Sequence, residues 1–209
     1  ILIKTLTIDI NYVKIYLINS MNKLDGRNLR STKSQKLIID AVIKLFQSGN
    51  FNPTAQEVSD ESGIGIRTVF RQFDDMENLI NAVDQEYHQK RPLMIKVDPN
   101  LTIKTRLKQI IETRNNIYSK ESNIMMMTIF MSWKYKFLLK RYRNWQKFFR
   151  DETEKTIPEL KKLDKQSQEL VDAILSFAFW TRLNGQGMKK SEIKKAMYDQ
   201  CLTILNNNN

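Results

Sequence analysis

The chain has 209 residues, enough for one or two domains. Apolar residues at 41% and charged residues at 27% allow a packed core and exclude wholesale disorder. Six Gly and four Pro are too few for a loop-rich or many-turned β architecture. One cysteine (Cys201) excludes a disulfide framework, and one histidine (His88) leaves a His-ligated metal centre short of ligands.

The net charge of +11 suggests a polyanionic partner, but it is unevenly spread. Residues 1–90 carry 11 basic and 11 acidic side chains, whereas residues 91–209 carry 23 and 12. Global charge therefore does not locate a nucleic-acid surface. No run of about 18 apolar residues is present, so no membrane span is expected. The single buried-type cysteine fits a reducing, cytoplasmic setting.

In chain order, Ile1–Ser20 is apolar and β-branched, broken by Lys4, Asp9 and Lys14, and it lacks the pattern of a secretory signal. Met21 then opens a polar, basic run. Two readings stand: Met21 is the natural start and residues 1–20 are translated upstream sequence, or they are a native extension. A first helix is expected from a capping box at Thr32 and Gln35 to a stop at Gly49. Its face is Leu37, Ile38, Ala41, Val42, Leu45 and Phe46. A second capping box, Thr54 with Glu57, opens a short helix that ends at Ser62-Gly63. Another short helix runs from Gly65 to Phe73, and Asp74 with Glu77 caps a fourth of about Asp75 to Lys90.

Residues 100–157 hold no Gly or Pro, and as one helix they would reach about 87 Å. Breaks are expected at Ser119–Asn123 and near Tyr135-Lys136. Two further helices are expected around Gln166–Leu183 and Ser191–Leu205. The sum is an all-α chain of about nine helices.

A tight turn between two short helices is the build of a helix-turn-helix, whose second helix enters the major groove of DNA. Val58, Ile64, Val69 and Phe73 suit a small core at the crossing, and Gly63 suits a positive φ in the turn. Gly65, Ile66, Arg67, Thr68, Phe70, Arg71 and Gln72 then fall at the start and on the outer surface of the second helix. Arg reads guanine, a Thr methyl meets thymine and Gln suits adenine. Thr54 stands at a helix N-terminus, where backbone N–H groups favour a phosphate.

Residues 33–83 resemble the DNA-binding region of TetR-family transcriptional regulators. The likeness runs through Leu45-Phe46-x-x-Gly49, Thr54-x-x-x-Val58, Ser62-Gly63-Ile64 and Arg67-Thr68-Val69-Phe70-Arg71-Gln72-Phe73, and ends at Leu79. The family usually has Gly at Arg67, Tyr at Phe70, His at Gln72 and often Lys at Met76; the resemblance therefore implies that the phosphate contacts of that Tyr and Lys are lacking here, with an extra arginine to compensate. The resemblance implies a three-helix head over residues 25–84, after an extension over 1–24. A helical effector-binding and dimerisation body would follow over 85–209. It implies a regulator, more often a repressor, that binds a palindromic operator as a homodimer and is released by a small molecule.

Lys23, Arg27, Arg30 and Lys33 form either a minor-groove arm or a solvated tail. His88 reads as a surface residue and Cys201 as a packed thiol. The cluster Met125-Met126-Met127 with Phe130, Met131 and Trp133 suits either an adaptable pocket or ordinary core. An effector pocket is expected at Met126, Phe130, Trp133 and Trp145. Lys134–Arg150 holds seven basic residues and no acid, interleaved with aromatics. It reads as a membrane-surface helix, the rim of an anion pocket, or a helix whose aromatics pack while its lysines snorkel. The nearly all-apolar Leu170–Trp180 and the stripe of the last helix are expected to form a dimer bundle through Ile174, Phe177, Ala178, Met197 and Cys201. No catalytic constellation, metal site or cofactor motif is found. The rival class is a helical binding module for an anionic ligand or lipid, in which the head is vestigial.

Overall fold

The computed structural model describes the backbone of residues 10–89, 97–98 and 100–207, with side chains from residue 28 to 88, at 97–98 and over 100–206. Among the described residues the chain is all-helical, with no strand. It consists of α1 (Ile10–Gln47), α2 (Ala55–Ser62), α3 (Ile66–Phe73), α4 (Met76–Gln89), α5 (Ile103–Met131), α6 (Lys136–Thr156), a 3₁₀ turn (Pro158–Lys162), α7 (Lys165–Ile174), α8 (Phe177–Gly185) and α9 (Lys190–Asn207). No helix among the described residues is long and apolar enough to cross a membrane.

The chain divides into two compact units. One comprises residues up to Lys44 with Pro53–Glu86, and the other Leu45–Asn52 with Tyr87 onward. Buried residues of the first unit include Ile38, Ala41 and Val42 of α1, Val58 of α2, Val69 and Phe73 of α3, and Leu79, Ile80 and Val83 of α4. On α1 this is the expected face, except that Leu37 is exposed and Leu45 half-buried; of the small core expected at the α2–α3 crossing, Val58, Val69 and Phe73 are buried and Ile64 is half-buried.

Helix boundaries differ from expectation at four places. Thr32 does not start a helix: α1 is already helical there, and the Thr32 hydroxyl donates to the Asn28 carbonyl. The basic stretch Lys23–Lys33 is accordingly part of α1, while the side chains of Lys23 and Arg27, and residues 1–9, lie outside the described residues. Asp75 rather than Asp74 caps α4, accepting from the Asn78 N–H at 2.8 Å. Asp74 instead ends α3 with φ +62°.

In the second unit, α5 runs unbroken through Ser119–Asn123, because that polar run contains no breaker and the buried stripe continues across it. Asn115, Tyr118 and Met125 keep helical spacing. Conversely, the expected helix over Gln166–Leu183 is interrupted. The Leu175 carbonyl accepts from Arg114 Nη1 at 2.8 Å and from the Tyr118 hydroxyl at 3.0 Å. Ser176 then caps α8 by accepting from the Phe179 N–H at 3.2 Å. The break near Tyr135-Lys136 is where it was expected.

The core of this unit gathers Leu107, Ile110 and Tyr118 of α5, Phe149 of α6, Val171 and Leu175 from the α7 region, Trp180 of α8, and Ile193, Met197 and Cys201 of α9. This corrects the expected dimer seam. Met197 and Cys201 are fully buried and Phe177 is 5% exposed within the chain's own core, so they are not available to a second copy. Cys201 is a packed thiol, pushed up to about 12 by burial. Ala178 is exposed and Ile174 half-buried, beside Leu170, which is 47% exposed.

Candidate nucleic-acid interface

The α2–α3 pair is built by local sequence. At the start of α2 the Thr54 hydroxyl accepts from the Glu57 N–H at 3.2 Å, and Glu57 Oε2 accepts from the Thr54 N–H at 2.7 Å. This capping box answers the orphan donors of the first turn. It also places the Glu57 carboxylate, rather than an open N–H cluster, at the helix end proposed for phosphate. Gly63 ends α2 at φ +67°, a left-handed conformation that glycine adopts without a Cβ penalty. The Ile64 N–H donates to the Ser62 hydroxyl at 3.2 Å, which tightens the turn, and Gly65 stands at the N-cap of α3.

With Val69 and Phe73 buried, the opposite face of α3 is set by its 3.6-residue period. Gly65, Ile66, Arg67, Phe70 and Arg71 are exposed, as expected, and Thr68 is half-buried. Arg71 Nη2 donates to the Thr68 hydroxyl at 3.4 Å, so that pair shares one patch. Gln72 departs from expectation: it is half-buried, and its side-chain oxygen accepts from the Ser31 hydroxyl of α1 at 3.1 Å. With its oxygen held by α1, the amide has one lone pair left for the acceptor half of a two-point contact to adenine. The surface therefore presents two arginines and two apolar side chains, Ile66 and Phe70.

Four side chains expected to form an effector pocket are not brought together. Trp145 lines a cavity of about 50 Å³ with Tyr87, His88, Ile117, Glu121, Ile124, Met125 and Phe149. Met126 is half-buried and lines no part of it, while Phe130 and Trp133 are 52% and 78% exposed. Helical phase explains this: Met125, not Met126, continues the α5 stripe. His88 is not the simple surface residue expected, because its ring meets Tyr87 and Trp145 edge-on at 5.4 and 5.2 Å. At the same cavity the Tyr87 hydroxyl donates to Glu121, whose carboxyl is raised by burial.

A second cavity of about 70 Å³ shares Met125, Trp145 and Phe149 with the first and reaches Arg114, Tyr118, Tyr142, Gln146 and Asp172. Arg114 is fully buried and donates to the carbonyls of Leu175 (2.8 Å) and Phe149 (2.6 Å) and to the Thr153 hydroxyl (2.5 Å). Its guanidinium lies over the Phe149 ring, 5.0 Å from the centroid. Tyr118 stays a neutral donor, its hydroxyl pushed up to about 12 by burial. Sequence reading missed Arg114. The available signal was a cation inside an apolar stripe, four residues after Ile110 and four before Tyr118.

On α6, Lys136, Lys140, Arg143 and Lys147 are exposed while Leu138 and Phe149, with Tyr135 just before the helix, are buried, which is the snorkelling arrangement. Arg150 belongs to an ion-pair network with Glu169 (2.7 and 2.6 Å) and Asp172 (2.9 Å). Among the described residues no cluster of three or more His, Cys, Asp or Glu could hold a metal ion.

Comparison with protein-family models, with curated proteins and with solved structures finds no match to this chain.

Proposed function

We propose that this protein is a sequence-specific DNA-binding transcription regulator of the cytoplasm. In this reading it is a repressor that binds a palindromic operator as a homodimer and is relieved by a small molecule. The observation that supports the reading most is the pair of eight-residue helices joined by Gly63-Ile64-Gly65, with Arg67 and Arg71 exposed on the second. Such a pair fits the major groove, where arginine bonds the guanine edge. The likeness of residues 33–83 to TetR-family heads points the same way.

The mechanism in this reading is linkage. Effector and DNA favour different arrangements of the two units, and each changes the affinity for the other by the same factor. Helix α4 is the physical candidate for the link, since its residues to Glu86 belong to the first unit and those from Tyr87 to the second.

Selection of bound sites from random duplexes at fixed salt tests the reading. Arg67→Ala and Arg71→Ala are each expected to cost about 1–3 kcal/mol and to relax specificity. Full specificity in the double variant would overturn it. The exposed row Lys136, Lys140 and Arg143 favours a second reading, an anion-binding helical module. In that case, Ala substitutions in this row remove anion binding while the α3 variants change nothing.

A further inference from the structure

Arg114 carries its positive charge at 0% exposure, and among the described residues no carboxylate lies within ion-pair distance of it. Three neutral oxygens accept from its terminal nitrogens, and its Nε–H meets no acceptor. Neutral acceptors satisfy N–H groups but leave the charge of a desolvated guanidinium unbalanced. An unmet N–H at such depth calls for an explanation of its own.

The surroundings indicate what would balance it. Arg114 lines the cavity of about 70 Å³ together with the rings of Tyr118, Trp145 and Phe149. Asp172 also lines it, but its carboxylate accepts from Arg150 at 2.9 Å. Gln146 and Tyr142 add polar groups, the Gln146 amide donating to the Tyr142 hydroxyl at 3.1 Å. Through the shared walls Met125, Trp145 and Phe149 lies the neighbouring cavity, where Ile117 and Ile124 extend the apolar lining.

We propose that this pair of cavities binds a small monocarboxylate, its carboxylate at Arg114 and its short apolar or aromatic body against Met125, Trp145 and Phe149. A carboxylate supplies both the missing charge and an acceptor for Nε–H, and a charge-assisted contact of this kind is stronger than a neutral one. The apolar body accounts for the aromatic walls. The site deepens the regulator reading by naming the effector class, although binding at Arg114 does not depend on DNA.

The experiment is calorimetric titration of the full chain with benzoate, its neutral isostere benzamide and the cation benzylamine. Benzoate is expected to bind at least about tenfold more tightly than benzamide, as for a hydrogen bond to a charged group. Arg114→Gln is expected to erase that preference. Because Arg114 also holds three backbone and side-chain oxygens, that variant is paired with Gln146→Glu and Gln146→Lys, on an exposed residue. Benzoate should bind the first several-fold more weakly and the second more tightly, with unfolding temperatures unchanged. Equal binding of benzoate and benzamide, tighter binding of benzylamine, or indifference to both Gln146 variants would overturn the site. Release of operator DNA is scored separately. Benzoate that binds without releasing DNA leaves the site standing and counts against the regulator reading.

Discussion

Gly63 is the residue on which the α2–α3 turn depends. At φ +67° any L side chain is strained, even though a Cβ there would meet nothing within 4 Å. Gly63→Ala is therefore expected to lose about 1–2 kcal/mol of stability through backbone conformation alone, read as a lowered urea midpoint with an unchanged slope. This position was legible in the sequence, because a short capped helix ending at Ser-Gly leaves few alternatives. Gln72 was not: nothing in its own neighbourhood shows that Ser31, 41 residues earlier, takes its side-chain oxygen. Polar pairing over such separations is fixed by tertiary packing.

A second residue-scale expectation concerns acid. Arg106 is buried and donates to the Leu101 carbonyl (2.9 Å), the Thr156 carbonyl (2.5 Å) and Glu159, which it contacts through both terminal nitrogens. That hydrogen bonding holds the Glu159 carboxyl below its ordinary 4.5. A folded-state pKa below the unfolded one means stability that is present above pH 4.5 and lost as pH falls through the lowered value. Glu159 is partly solvated, so the contribution is modest. Urea unfolding between pH 6 and pH 3 should show a smaller acid loss for Glu159→Gln than for the native chain. Parallel curves would contradict the pairing.

At the scale of elements, the sequence read breakers well and competition poorly. Gly and Pro correctly bounded α2, the start of α3 and the end of α8, since those residues act locally. The two misjudged stretches of the second unit reverse each other. Ser119–Asn123 stays helical because packing of Tyr118 and Met125 on either side carries the helix across. Leu170–Leu183 holds no Gly or Pro, yet it breaks where two donors from α5 converge on the Leu175 carbonyl. The break should therefore depend on those donors and on its cap. Tyr118→Phe keeps the ring and removes one donor, and is expected to cost about 1 kcal/mol. Ser176→Ala removes the cap and is expected to cost about 0.5–2 kcal/mol. Hydrogen exchange at the Phe179 amide, which donates to Ser176, should speed up in the second variant. Unchanged protection there would mean that packing of Phe177 and Trp180 alone holds α8.

At the scale of the whole molecule, the proposed dimer must use a surface that burial leaves open. The apolar run Leu170–Trp180 suggested a seam, but its inward half is spent within the chain: Phe177 and Trp180 stack on each other at 6.1 Å, both rings meet Tyr118, and Leu175 is fully buried. What stays outward is Leu170, Ala173 and Ala178, with Ile174 half-buried. Two charge insertions thus separate folding from association. Phe177→Glu places a carboxylate in the core and is expected to unfold the second unit, whatever the oligomeric state. Leu170→Glu and Ala178→Glu change exposed positions, so helicity and the unfolding midpoint should hold while the dimer dissociates. In a two-fold regulator, loss of the dimer also separates the two copies of α3 that read half-sites about 34–36 Å apart. Operator affinity should then collapse to the weak binding of a single head. Light scattering of the native chain and of Leu170→Glu, run beside operator binding, decides this. A native monomer at micromolar concentration, or a Leu170→Glu and Ala178→Glu double variant that stays dimeric, would remove this face from the proposal.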